Sequence, residues 1–251
     1  MNPYTAVEKP WHMFFVGLLY ASVGIFLSIW IFKSNASMVM VFLTVLAAIP
    51  IVFNTMKMEE EADIKLKDEK SIMYEHIRVL KFFMALFLGF VIAYSIWFVV
   101  LPANLVQGLF SVQLDTIGAI NSNITGNAQN SAEVLLYIFM NNFKVLLFSI
   151  FFAFFYGAGA IFILTWNASV ISAAIGTFIR DKISAYALSV GSLNVFNYFH
   201  LFSLGLLRYF IHGIPEMLAY FVGGLAGGII SVAMINHDLE TSKFKKIMKD
   251  A

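Results

Sequence analysis

The sequence predicts an all-α fold, a polytopic transmembrane helical bundle of about six spans with a broken or re-entrant region in its C-terminal half. First, 60% of the residues are hydrophobic and only 12% are charged, about half the charged fraction of a soluble domain. Second, long runs lack Asp, Glu, Lys and Arg, which indicates membrane helices. Third, the alternating segments of about ten residues that are typical of a membrane barrel are missing from the pattern. The uncharged runs are residues 10–32, 34–56, 82–114, 145–179, 183–207 and 217–237.

The first two spans form a hairpin that occupies residues 1–56. Span one covers about Met13 to Phe32, Lys33-Ser34-Asn35 makes a tight turn, and span two covers about Ala36 to Met56. The first apolar run is about 20 residues long and a second follows at once, so we expect a span and not a cleavable signal.

The segment 57–81 is rich in charge. Its acids alternate with bases at three to four residues, and Met73, Ile77 and Leu80 recur at helical spacing. This pattern predicts a solvated helix that runs on into span three. The alternative is a docking surface for a cytoplasmic partner.

Span three covers about Phe82 to Val106, and residues 107–143 follow without any Lys or Arg. They are expected to form an external loop with a short amphipathic piece at 109–120 and a glycosylation sequon at 123–125. Because basic residues favour the cytoplasmic side, both termini and segment 57–81 are predicted inside, with an even number of crossings. The basic residues are Lys57, Lys65, Lys67, Lys70, Arg78 and Lys81 in that segment, and Lys243, Lys245, Lys246 and Lys249 in the tail at 239–251.

The second half, a membrane domain at 82–238, contains an uncharged run from 145 to 179. As one helix it would be about 52 Å long, whereas the hydrocarbon core is about 30 Å thick. We therefore expect a break at residues 157–159 or 166–167. Span four is predicted at 142–165, and 168–179 is a half-helix or the start of a tilted fifth span ending near His200. Residues 201–211 are another apolar piece, and 216–236 is the last span.

A polar cluster lies at the head of that last span, in the stretch FIHGIPE. On one uninterrupted helix, Arg208, His212 and Glu216 would fall on one face. Gly213 and Pro215 favour instead a break at 212–214 and a new helix beginning at Pro215. Glu216 would then lie at a helix N-terminus and Arg208 at a helix C-terminus, where the dipoles favour their charges. The cluster is interpreted as an ion-pair junction between helices, a substrate, ion or proton site, or a catalytic centre.

Two further sets of residues are candidates for helix packing or polar contacts. Four glycines in the last span form overlapping GxxxG patterns, which allow close approach by another helix of this chain or of another subunit. Three asparagines flank span four and serve as caps, as interfacial residues or as hydrogen-bond partners of the break at 212–216. These residues are Gly223, Gly224, Gly227 and Gly228, and Asn141, Asn142 and Asn167.

The composition excludes several classes of function. The chain has no cysteine, which removes disulfides, thiolate nucleophiles and cysteine-ligated metals. Its formal net charge of +1 gives no indication of nucleic-acid binding. The five histidines are scattered and form no His-Glu-x-x-His motif. We therefore expect no enzyme, no metal and no cofactor.

The stretch NNFKVLLFSIFFAFFYGAGAIFILTWNASVISAAIG, followed by IHGIPEMLAYFVGGLAGG, resembles the stage II sporulation protein M family of membrane proteins over roughly residues 70–238. Ala168 and Ile211 depart from the family's usual Gly and Pro, and Pro215 is additional. The stretch EHIRVLKFFMALFLGFVIAYSIWFVVLP resembles archaeal members. The matching residues are Asn141, Asn142, Gly157, Asn167, His212, Gly213, Glu216, Gly224 and Gly227.

The resemblance implies a non-enzymatic membrane component that in bacteria is associated with cell-envelope remodelling enzymes. The function expected is therefore a scaffold or assembly subunit in the cytoplasmic membrane. Its partners would be the lipid bilayer and a membrane or envelope protein, or further copies of the chain. The alternative is a transporter or channel in which Arg208, His212 and Glu216 line the pathway, because broken helices with polar groups at depth are typical of transporters.

Overall fold

The computed structural model describes residues 9–65, 68–126, 136, 139–140, 142–148, 151, 158–190 and 195–236. In these ranges the chain is helical, with no strand. The helices are α1 (Trp11–Ile31), α2 (Ala36–Lys65), α3 (Glu69–Val100), α4 (Ala103–Leu109), α5 (Ser111–Gly126), α6 (Ala158–Val190) and α7 (Val195–Asn236). Residues 142–148 are also helical.

Four helices in the described ranges are long and apolar enough to cross a membrane: Trp11–Ile31, Ala36–Ala62, Lys70–Val100 and Ile161–Ala185. A shorter apolar stretch, Met217–Ile230, lies in α7. The all-helical class is confirmed in the described ranges, and the four long apolar helices fit the membrane character predicted from the uncharged runs.

The N-terminal hairpin has a tight connection. A 3₁₀ turn, Lys33–Asn35, joins α1 to α2, at the place where the sequence predicts a turn. Pro50 lies inside α2 and does not end it. A proline removes one helical hydrogen bond, but transmembrane helices tolerate it because neighbouring groups satisfy the freed carbonyl.

The charged segment 57–81 is not one helix, so that prediction is wrong. Its first part extends α2 to Lys65, and its second part begins α3, where the Asp68 carboxylate accepts a hydrogen bond from the Ser71 N–H at 3.3 Å. An aspartate N-cap of this kind starts a new helix. Only the second part runs on into span three. The segment is also not fully solvated, since Glu59 and Glu60 are only 1% and 2% exposed.

The stretch after span three is helical where a loop was expected. Leu101 and Pro102 are extended, and the chain then forms α4 and α5. The amphipathic piece predicted at 109–120 lies within these two helices. Its buried side is made by Leu109, Phe110 and Gln113.

Two of the predicted breaks are wrong. α6 runs without interruption through Trp166 and Asn167, so residues 168–179 are part of one long helix and not a half-helix. α7 is a single helix of 42 residues that contains Gly213 and Pro215, so the chain has no break at 212–214. Pro215 is accommodated within a helix, as Pro50 is. The other predicted break point adjoins the start of α6 at Ala158, and residues 152–157 lie outside the described part.

Glycines allow α1 to pack directly on α3. A Cβ on Gly17 would lie 3.2 Å from the Cα of Gly89 and would overlap the Leu86 carbonyl oxygen. Further along, Trp97 of α3 donates a hydrogen bond from Nε1 to the Ser22 hydroxyl of α1 at 2.9 Å. Contacts that advance in the same direction along both helices show that α1 and α3 are parallel. With α2 between them in the chain, the first three spans run up, down and up.

Candidate functional site

A group of buried polar side chains lies in the bundle between α2, α3, α5 and α6. They are hydroxyls and one amide, all uncharged, and their burial within helices of this apolar character requires hydrogen-bond partners. The members are Ser37, Thr44, Tyr94, Ser95, Gln113, Thr165, Ser169 and Ser172. We call this group the polar column.

Gln113 of α5 connects two helices of the column. Its Oε1 accepts a hydrogen bond from the Ser37 hydroxyl of α2 at 2.7 Å, and its Nε2 donates to the Ser169 hydroxyl of α6 at 3.1 Å. The Ser37 hydroxyl also accepts from the backbone N–H of Val112 at 3.2 Å. A single glutamine side chain therefore ties the short helix α5 to two long helices.

Deeper contacts join α2 to α3 and α3 to α6. The Tyr94 hydroxyl donates to the Thr44 hydroxyl at 2.8 Å, and the latter donates to the carbonyl of Met40 in its own helix. The Ser172 hydroxyl lies 2.9 Å from the Val91 carbonyl oxygen of α3 and 2.7 Å from the Ala168 carbonyl oxygen. Thr44, Thr165 and Ser169 thus donate to backbone carbonyls of their own helices. The bonds that join helices are those of Tyr94, Gln113 and Ser172.

Arg180 closes the end of α3. Its guanidinium donates to the carbonyls of Phe98, Val99 and Leu101, and it lies over the Phe98 ring at 5.6 Å from the centroid. The last carbonyls of a helix lack intrahelical donors, and the dipole places partial negative charge there. Arg180 therefore acts as a side-chain cap supplied by α6.

Charged groups also meet where α2 ends and α3 begins. His76 Nε2 lies 3.4 Å from a carboxylate oxygen of Glu59, and the Arg78 guanidinium donates to both carboxylate oxygens of Glu75 at 2.7 and 2.8 Å. These pairs join α2 to α3 and stabilise one turn of α3. In the described ranges no group of three or more His, Cys, Asp or Glu residues could hold a metal ion.

The predicted polar cluster occupies a continuous helix. Arg208, His212 and Glu216 are spaced four residues apart in α7, so they lie in one row, the arrangement expected for an unbroken helix. The side chains of residues 208–216, including Gly213, lie outside the described part, as does Asn141.

The other two predicted asparagines have different surroundings. The side-chain oxygen Oδ1 of Asn142 accepts a hydrogen bond from the Tyr220 hydroxyl at 3.3 Å. Tyr220 lies one helical turn beyond Glu216 in α7. Asn167 instead donates to the Ile163 carbonyl of its own helix at 2.8 Å. Asn142 therefore reaches α7 near the predicted cluster, whereas Asn167 bonds locally within α6.

The glycine stripe of α7 is buried. Gly223, Gly224, Gly227 and Gly228 are all buried, and a Cβ on Gly228 would lie 2.7 Å from the Met56 methyl carbon. Gly224 lines a small apolar cavity together with Val52, Met56, Phe83, Ile161, Leu164, Phe221 and Leu225. At these positions the stripe packs within the chain, against α2, α3 and α6.

Sequence reasoning missed Gln113, Arg180 and the glycine pair at 17 and 89. Arg180 had a signal, because Arg180-Asp181-Lys182 interrupts two uncharged runs. Gln113 had a weaker one, as a polar residue between apolar positions of an amphipathic piece. The glycine pair had a weak signal, because Gly17, Ala21 and Gly24 form a small-residue stripe in span one, whereas Gly89 stands alone in span three.

Several long apolar helices packed around a mainly hydrophobic core fit one class, the helical-bundle membrane protein. The chain matches no protein-family model, no curated protein and no solved structure. The similarity of the Asn-pair and His-Gly-x-x-Glu stretches to the stage II sporulation protein M family therefore stays a prediction.

Proposed function

We propose that the protein is a non-enzymatic scaffold or assembly subunit of the cytoplasmic membrane. The observation that carries the proposal is the use of its polar groups. In the described part, Gln113, Arg180, Tyr94 and Ser172 all bond to other helices of the bundle. Side chains used in this way fix the relative positions of helices, which is what a scaffold needs.

The outer face of α1 is the surface we propose for contact with lipid and a membrane partner. Only 28% of the most apolar 18-residue stretch of α1 is buried, whereas 50–56% of the corresponding stretch is buried in the other three candidate spans. α1 therefore lies at the edge of the bundle. Its exposed residues include Phe15, Leu19, Val23 and Trp30. The resemblance to the sporulation protein M family supports a partner among membrane or envelope proteins, with further copies of the chain as the other choice.

We propose six crossings with both termini in the cytoplasm. The support is the distribution of basic residues, which are absent from 107–143 and frequent in 57–81 and in the tail. Because the chain has no cysteine, single cysteines at positions 34, 70 and 118 can be labelled in intact cells with an impermeant maleimide. Labelling is expected at 34 and 118 and not at 70. The reverse pattern would contradict the orientation.

The scaffold role is tested by photo-crosslinking in the native membrane. A photoreactive amino acid at Leu19, which is exposed, should give a discrete protein adduct, whereas the same group at buried Ala21 should give none. The adduct is identified by mass spectrometry, and co-purification of that protein in mild detergent is the second readout. A chain that purifies as a monomer, with lipid adducts alone at position 19, would contradict the proposal.

The second candidate is a transporter or channel. It is favoured by the polar column and by the row of Arg208, His212 and Glu216 along α7. Flux of ions and protons into proteoliposomes is the test, with Glu216→Gln expected to lower it and Asp115→Asn, at an exposed position on α5, expected to leave it unchanged. Absence of flux over a range of ions and pH would exclude this candidate.

A further inference from the structure

We infer that α4 and α5 together form a lid that covers the polar column and is held shut by Gln113. The lid is defined here as residues 103–126, and its buried face as Val106, Leu109, Phe110 and Gln113. The inference concerns a movement within the bundle and does not depend on the proposed scaffold function.

The lid has a hinge with one fixed side. Leu101 (φ −68°, ψ 150°) and Pro102 (φ −55°, ψ 148°) are both extended and separate α3 from α4. On the bundle side, Arg180 holds the carbonyls of Phe98, Val99 and Leu101. Rotation about the ψ angle of Pro102, beyond the carbonyls that Arg180 holds, therefore moves the lid without moving the end of α3.

The lid is held by an apolar face, since Val106, Leu109 and Phe110 are only 0–3% exposed. Phe110 packs its ring against those of Tyr94 and Phe98, at centroid distances of 6.3 and 4.9 Å. Residues on the opposite side, such as Gln107 and Gly118, are exposed, and a Cβ on Gly118 would meet nothing within 4 Å. The lid is thus covered by the bundle on one side only.

Gln113 suits a latch that opens. Its amide is satisfied by Ser37 and Ser169 when the lid is closed, and water would satisfy the same groups when the lid is open. Exchange of protein hydrogen bonds for water hydrogen bonds has a small net free energy, so the Gln113 bonds add only modestly to a closed state that the buried apolar face also stabilises.

Buried hydroxyls lie on the helices that the lid packs against. The Ser172 hydroxyl of α6 faces the Val91 carbonyl of α3, and the Ser95 hydroxyl of α3 is buried without a hydrogen-bond partner in the described part of the chain. The described residues of the polar column carry no charge. The open state would therefore admit water and small neutral hydroxylated solutes.

The test uses the absence of native cysteine. Ser172→Cys places a single thiol beneath the lid, and the full chain in lipid nanodiscs is treated with a small impermeant methanethiosulfonate reagent. The labelling rate is expected to be at least about 10-fold higher with Gln113→Ala than with the native glutamine, a change equivalent to about 1.4 kcal/mol. Ser37→Ala, which removes one of the latch bonds, should give a smaller increase. Thr116→Ala is the matched control, because its hydroxyl bonds only to the Val112 carbonyl of α5.

A second thiol separates lid opening from loss of the bundle. Thr55→Cys lies in the part of α2 far from the lid and is fully buried, so it should stay unreactive in the Gln113→Ala background. Equal acceleration at both thiols would mean general unfolding and would overturn the lid. An unchanged rate at position 172 in Gln113→Ala would overturn it too, as would native labelling at 172 as fast as at an exposed Gly118→Cys.

Discussion

The contact between α1 and α3 gives the sharpest prediction, the effect of Gly89→Ala. A Cβ at position 89 would lie 3.0 Å from the Cα of Gly17 and 2.9 Å from the backbone nitrogen of Leu18, and closer still to the Phe14 carbonyl oxygen. All three are backbone atoms, which cannot rotate away as a side chain can. The methyl group therefore has to push the two helices apart.

The cost of that separation follows from the distances. Carbon atoms in contact prefer about 3.5–4.0 Å, so the helices move apart by about 0.5–1 Å, which forfeits roughly a quarter to a half of each dispersion contact. A contact region equivalent to one buried leucine has about 40–60 atom pairs at about 0.1–0.2 kcal/mol each. The loss is then roughly 1–6 kcal/mol, and partial repacking brings it to the range of about 1–3 kcal/mol that is typical of overpacked cores.

The assay is the apparent melting temperature of the full chain in detergent, followed by tryptophan fluorescence. One kcal/mol corresponds to about 2–4 °C for a chain of this size, so Gly89→Ala should lower the midpoint by roughly 2–12 °C. Gly17→Ala should act similarly, and the double variant should cost less than the sum because both methyl groups open the same contact.

Gly118→Ala is the matched control for this prediction. It makes the same substitution inside α5, where the new Cβ meets nothing within 4 Å. Alanine favours helix over glycine by up to about 1 kcal/mol, so the midpoint should stay unchanged or rise. If Gly89→Ala behaved like Gly118→Ala, α1 and α3 would not touch at these glycines and the proposed packing would be refuted.

Three further predictions concern thermal stability in the same assay. Arg180→Gln should lower stability by about 1.5–3 kcal/mol, because it removes charge-assisted hydrogen bonds. Arg180→Lys should retain only part of that stability, because lysine lacks the guanidinium fork. Full stability with lysine would contradict the capping geometry. Thr44→Val should lower stability by about 1–3 kcal/mol and Tyr94→Phe by about 0.5–1.5 kcal/mol, because valine leaves the buried tyrosine hydroxyl without its partner. The opposite order would refute the assigned donor and acceptor. Gly228→Ala should lower stability less than Gly89→Ala, because the flexible end of Met56 can move away. In a chain that also carries Met56→Ala, Gly228→Ala should have no further effect on stability. A loss of stability that persists in that double variant would place another atom at the contact.

Much of the helical architecture could be predicted from the sequence. Runs without charge predict spans because charged groups are costly in hydrocarbon, and the turn at Lys33-Ser34-Asn35 follows from the interruption of two such runs. The amphipathic piece at 109–120 also lies in helices. These features depend on residues close in sequence.

The predicted breaks at 166–167 and 212–214 failed for one physical reason. One argument compared the length of the helix with the thickness of the bilayer, and the other started from the presence of Pro215. Both arguments treat a helix as if it were alone. In the bundle, α6 and α7 continue because long helices tilt or extend beyond the hydrocarbon and because neighbours compensate a proline. The same local reasoning treated 57–81 as one helix, since it did not recognise Asp68 as a cap.

The sequence by itself determined the all-helical class with long apolar helices, where the first three of them lie and that charged side chains are few. Only the tertiary structure decided that Gly17 meets Gly89, that Gln113 joins Ser37 to Ser169 and that Arg180 caps α3. Each of these contacts joins residues that are 56 to 82 positions apart. Composition and periodicity report which face of a helix is apolar, whereas the choice of neighbour depends on how whole helices fit against one another.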